Sequence, residues 1–209
     1  NVVSEADRAE TRDKWHLSYT YAISEYEEYY LGTHRVSYGD VLFSPGVDAR
    51  TDNNYPVVPT EITQEVHALR VGYDLTEALT LRAQLPFVMQ STDHISIISG
   101  YDAFNISSEG VGDIALVLDS TIRQTLNSSW KIGAGLSLPA GSIDEEGDTP
   151  RAPGNQQLPY TMQLGSGTWD VPLFLSFRKY EAGWDWGVDA SFTMRTGEND
   201  RDYRLGNKG

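Results

Sequence analysis

The sequence predicts an all-β protein, an antiparallel transmembrane β-barrel with short periplasmic turns and long external loops. Three observations predict it. Apolar and polar residues alternate with period two along arms of ~10 residues, the length that crosses a bilayer as a tilted strand. Short turns within hairpins alternate with long polar connections between them, as in outer-membrane barrels. Aromatic residues gather at the ends of the arms on the apolar face, where a membrane–water interface would hold them.

The first arm carries Trp15, Leu17, Tyr19, Tyr21 and Ile23 on one face and His16, Ser18, Thr20 and Ala22 on the other. A hairpin follows, with Leu69, Val71 and Tyr73 on its first arm, a turn near Thr76-Glu77, and Leu79, Leu81, Ala83, Leu85 and Phe87 on its second. The next hairpin sets Ile114, Leu116, Leu118 and Ile122 before a turn at Asn127-Ser128-Ser129. Its return carries Trp130, Ile132, Ala134, Leu136 and Leu138. The last runs from Trp169 through Val171, Leu173, Leu175 and Phe177, turns at Glu181-Ala182-Gly183, and returns through Trp184, Trp186, Val188, Ala190, Phe192 and Met194. Long connections are expected over residues 24–61, 90–112 and 140–168, the last folding inward as a constriction. Residues 1–14 form a polar segment and 15–209 one barrel domain. Arg204 to Gly209 reads as the start of an eighth strand, so the sheet is expected to need further strands to close.

Composition removes several classes. With 30 acidic and 16 basic residues the net charge is -14, which argues against a nucleic-acid partner. The longest apolar run, Ile114 to Leu118, is far too short for a spanning helix. The absence of cysteine excludes disulfides, thiolate metal sites and a cysteine nucleophile. Residues 1–14 contain no apolar signal core, so the chain is either cytosolic or the mature form of an exported protein, and the barrel pattern favours the second.

The face opposite the apolar rows carries Arg70, Arg82, Asp113, Asp119, Arg123, Lys131, Asp185, Asp189 and Arg195. In a barrel these residues line the lumen, where charges of both signs pair or border a water-filled path. Gly72, Gly133, Gly135 and Gly187 share that face and relieve crowding there. The aromatic girdle is assigned to Trp15, Tyr73, Trp130, Phe177, Trp184 and Trp186 at the short-turn end, with Phe87 and Trp169 at the other.

Gly110-Val111-Gly112-Asp113-Ile114, Leu136-Ser137-Leu138-Pro139-Ala140-Gly141-Ser142 and Leu158 to Asp170, the last containing Met162-Gln163-Leu164-Gly165-Ser166-Gly167-Thr168, occur in that order. Trp184-Asp185-Trp186-Gly187, Arg195-Thr196-Gly197-Glu198-Asn199-Asp200 and Tyr203-Arg204-Leu205-Gly206 follow. Over roughly residues 60 to 209 the chain resembles the outer-membrane β-barrel family labelled "MetA-pathway of phenol degradation". The resemblance implies a Gram-negative outer-membrane channel or transporter for small solutes, hydrophobic or aromatic compounds among them. It implies no catalytic or ligand residues.

No enzyme constellation is legible. Of the four histidines only His16 lies on a clear inward face; His34 and His94 fall in long connections, and His67 precedes an apolar run. The acidic stretches 144–148 and 198–202 lack the spacing of a calcium loop and read as solvated charge. No catalytic residue, metal site or cofactor is therefore assigned. The expected location is the bacterial outer membrane. The expected partners are membrane lipid, lipopolysaccharide, a small-molecule solute and proteins met through the long loops. Two rivals remain: a structural or partner-binding barrel plugged by ion pairs, and a soluble β-barrel or sandwich binding protein.

Overall fold

The computed structural model describes residues 14–42 and 55–206, so the polar segment 1–13 and the end 207–209 lie outside the described residues. The strands are β1 (Trp15–Glu27), β2 (Tyr29–Leu31), β3 (His34–Val36), β4 (Val57–Asp74), β5 (Leu79–Ser96) and β6 (Ala103–Val111). They continue with β7 (Ile114–Gln124), β8 (Ser128–Leu138), β9 (Glu146–Thr149), β10 (Ala152–Gln157), β11 (Asp170–Glu181) and β12 (Trp184–Arg195). One short helix, α1 (Tyr38–Val41), and a 3-10 turn (Tyr160–Met162) complete the described elements.

The main sheet is antiparallel, ordered β1-β4-β5-β7-β8-β11-β12, with β6 paired to the upper part of β5. It curls into a half-barrel. Its seven-strand path is the set of arms that alternation predicts. The two small sheets, β2-β3 and β9-β10, are hairpins within connections.

Hydrogen-bonded rows climb across the sheet. One row begins at Tyr73, beside the β4–β5 turn, and passes through Leu81, Leu118, Ala134 and Leu173. It ends at Phe192, in the far half of β12. This progressive stagger is the shear that tilted barrel strands require.

The alternation also fixes which face lies where. The apolar rows lie on the exposed side: Leu17 is 74% exposed, Val188 57% and Leu136 42%. The opposite side holds buried Val117, Gln90, Thr92, Ser108 and Ser137. Curling shields the polar row and displays the apolar one, the inverse of a sandwich core.

Four expectations are corrected. Much of the predicted connection 90–112 is strand, because β5 runs on to Ser96 and β6 returns beside it. The outward face is polar there (Ser91, Asp93; Asn105, Ser107) and the inward face mixes Thr92 and Ser108 with Phe104 and Ile106, so hydropathy alternation fades while pairing persists. His94 accordingly sits in a strand, stacked on Phe104 with ring centroids 4.7 Å apart. The connection 24–61 shrinks in the same way: β1 reaches Glu27, β4 begins at Val57, and β2-β3 stands between them. Arg204, Leu205 and Gly206 form no strand.

Pro86 marks a junction. Pairing of β5 with β7 ends at Gln84 and pairing with β6 starts at Phe87. The missing N–H thus falls where β5 changes neighbours. The Pro86 carbonyl is still used, accepting from the Gly112 N–H at 2.9 Å.

Candidate functional site

The concave face is built row by row, because cross-strand partners share a face. One row crosses the whole path: Ser18, Arg70, Gln84, Ala115, Ser137, Asp170, Arg195. The next but one toward the short turns reads Asp74, Thr80, Asp119, Gly133, Phe174, Ser191. Further along lie Thr121, Lys131, Ser176 and Asp189.

The charges on these rows are largely paired with one another. Arg82 donates to Asp119 through Nε at 2.8 Å and Nη2 at 3.1 Å, a bidentate contact between β5 and β7. The Arg82 guanidinium also lies 4.9 Å from the centre of the Phe174 ring, a cation–π approach across the face. Gly133 makes room for this cluster: a Cβ there would sit 2.2 Å from Asp119 Oδ1. Arg178 grips Asp189 at 2.9 and 2.6 Å. Arg70 donates to Gln84 Oε1 at 2.9 Å and reaches Thr20. Asp74 accepts from Thr80 at 2.6 Å and meets His16 Nε2 at 2.7 Å.

Asp170 is the most enclosed charge. It is fully buried, paired with Arg195, and also accepts from Thr168 Oγ1 at 2.9 Å and the Thr196 N–H at 3.3 Å. A buried carboxylate needs such a shell, since isolated burial of its charge is prohibitive.

Residues 139–169 fold onto this face. Gln90 and Thr92 share the inward side of β5 with Arg82 and Gln84. Gln90 Nε2 donates to Ser108 Oγ at 3.0 Å and Ser108 Oγ donates to the Met162 carbonyl at 2.6 Å. Asp113 holds the segment from the other side. Its carboxylate accepts from the Gly141 N–H, the Ser166 N–H and Ser166 Oγ at 3.1, 2.8 and 2.6 Å. Ile106, Leu158 and Met162 form a small core beneath it, with Phe104 packed alongside. The expected inward fold of this connection is thus present in the described sheet.

The predicted lumen residues fall into three groups. Arg70, Arg82, Asp119, Lys131, Asp189 and Arg195 lie on the concave rows. Asp113 lies before β7 as the latch of the inward segment, and Asp185 lies exposed beside the β11–β12 turn opposite Tyr180. Arg123 is corrected. A bulge between Thr121 and Arg123 shifts the register, so Arg123 faces Trp130 on the convex row. Sequence reasoning missed Asp170 and Arg178, although both alternate with the apolar residues of β11 and were detectable by parity alone.

The ring-bearing residues cluster as expected on the convex face. Trp15 meets Tyr73 at 4.8 Å, Trp130 meets Phe177 at 4.5 Å, and Phe177 meets Trp186 at 5.2 Å. Trp184 is exposed beside the β11–β12 turn, and Phe87 and Trp169 are exposed toward the opposite end. Within the exposed acidic stretches, Arg201 pairs with Asp144, and Tyr101 donates to Asp148. The Asp144 carboxylate holds the Arg201 guanidinium above its ordinary pKa.

No family model, curated protein or solved structure matches the chain. The fold and the chemistry of its two faces therefore carry the functional reading.

Proposed function

We propose that the chain forms the wall of a bacterial outer-membrane β-barrel channel that passes small solutes, hydrophobic or aromatic ones among them, beside an inward-folded constriction. One observation carries this reading: the exposed face is apolar and ringed by aromatics, while the enclosed face is polar. On β5 the outward row runs Leu79, Leu81, Ala83, Leu85, Phe87, Met89 and then turns to Ser91 and Asp93. At about 3.3 Å per residue and a tilt near 40°, that apolar row spans roughly 25 Å, the height of a barrel's lipid-facing band. In water so large a convex apolar surface would drive aggregation. The wall above the band, with Glu61, Thr63, Ser107 and Glu109 facing outward, suits the lipopolysaccharide headgroup layer.

The passage proposed is narrow, because the lumen charges are mutually paired and residues 139–169 lie across the face. Single-channel recording in planar bilayers tests it. Stepwise conductance is expected, with a larger unit conductance in Asp113→Ala, which releases Gly141 and Ser166. Silent bilayers with folded, inserted protein would reject passage and support the plugged, partner-binding barrel.

A further inference from the structure

We propose that the cleft between β6 and residues 149–160 is a binding site for a small amphipathic carboxylate, apolar in its body and anionic at one end. Here the wall presents Phe104 and Ile106 and the inward segment presents Leu158 and Pro159, an apolar lining on a largely polar face. Ile106 and Leu158 pack together with Phe104 alongside and form the floor of the cleft. The lining leaves a cavity of about 500 Å³, within the range of small-molecule sites.

The lining sets the ligand's chemistry. Aliphatic and ring surfaces favour a hydrocarbon body, held by removal of its surface from water. Arg151 is the cation of the lining and forms no ion pair among the described residues. In a chain of net charge -14 a cation left without a carboxylate partner beside an apolar cleft suits an anionic head. His94 contributes ring surface: its Nδ1 is occupied by the Thr92 carbonyl at 3.1 Å, and its plane lies 4° from that of Phe104. The site depends on the inward segment and the β5–β6 wall, not on conduction.

Calorimetric titration of the full chain in lipid nanodiscs, with empty nanodiscs subtracted, tests the proposal using octanoate and octanol. Saturable octanoate binding is expected. Arg151→Gln should weaken octanoate by about tenfold, the loss of one charge-assisted hydrogen bond, and leave octanol unchanged. Phe104→Ala should weaken both. Absence of saturable octanoate binding, or equal octanoate affinity in Arg151→Gln and the parent chain, would overturn the site. Octanoate binding in a protein that gives silent bilayers would uphold the site while rejecting passage; conductance without octanoate binding would do the reverse.

Discussion

Replacing Leu118 by arginine separates hydrocarbon from water on the convex face. Leu118 lies mid-strand in β7, 43% exposed, between Leu81 and Ala134 in register. It makes no contact with the concave charges, so its substitution reports the outer solvent alone. On a wet surface such a change is worth about ±0.5 kcal/mol. At the midplane of a bilayer an arginine costs about 2–4 kcal/mol, falling to about 0–1 near the interfaces. That corresponds to a shift of roughly 30- to 900-fold in the unfolding equilibrium. Depth supplies the internal control. Ile122 lies nearer the turn, and Leu126 is in the turn at 98% exposure. Leu118→Arg should therefore be costly, Ile122→Arg mild and Leu126→Arg neutral. Urea unfolding from phospholipid vesicles, followed by tryptophan fluorescence, measures all three. Three equal values within about 0.5 kcal/mol, in a chain that also stays dispersed without detergent, would refute the membrane reading.

The paired charges and the outer loop give two more expectations. Asp170→Ala removes the buried carboxylate that pairs with Arg195 and should cost about 3–5 kcal/mol, with Asp170→Asn recovering part of the loss; unchanged unfolding midpoints would show that the pair contributes nothing. The Asp148 hydrogen bond raises the Tyr101 pKa above its ordinary 10, so this contact stabilises the loops up to that pH and is lost as pH rises through the raised value. Ultraviolet titration of Tyr101→Phe should lose one late-ionising phenol, and an unaltered late phase would contradict the assignment.

The seven-strand path was legible because a strand exposed to different surroundings on its two faces must alternate. Where polar residues stand on both faces, on the inner one as the buried Gln90, Thr92 and Ser108, that signal disappears. This is why β6 and the upper half of β5 read as loop although their ladder is continuous from Phe87 to Ile95. Arg123 was assigned to the wrong side because one bulged residue reverses parity, and a bulge leaves no mark in hydropathy. The ion pairs were legible only as a supply of opposite charges. That Arg82 meets Asp119 follows from the pairing of β5 with β7, which β6 separates in sequence, and Arg195 meets Asp170 at the open end of the β11–β12 hairpin. The inward packing of residues 139–169 is legible, but its latch is not, since Asp113 acts through two backbone N–H groups and the Ser166 hydroxyl, partners that no residue pattern displays.

Edge pairing makes the strongest demand on the barrel reading. Among the described residues nothing pairs with the outer edges of β1 or β12. In hydrocarbon each unsatisfied backbone group costs several kcal/mol, so neither edge can face lipid bare. Along an antiparallel path of seven strands the first and last run in the same direction, so β1 and β12 cannot close antiparallel on each other. On the barrel reading proposed above, antiparallel closure takes an odd number of additional strands between them. Hydrogen–deuterium exchange in bilayers tests this: outward amides of β1 and β12 should exchange as slowly as those of central β5 and β8. Rapid exchange along either edge in inserted protein would mean that water reaches it, and a continuous lipid-facing wall could not then exist.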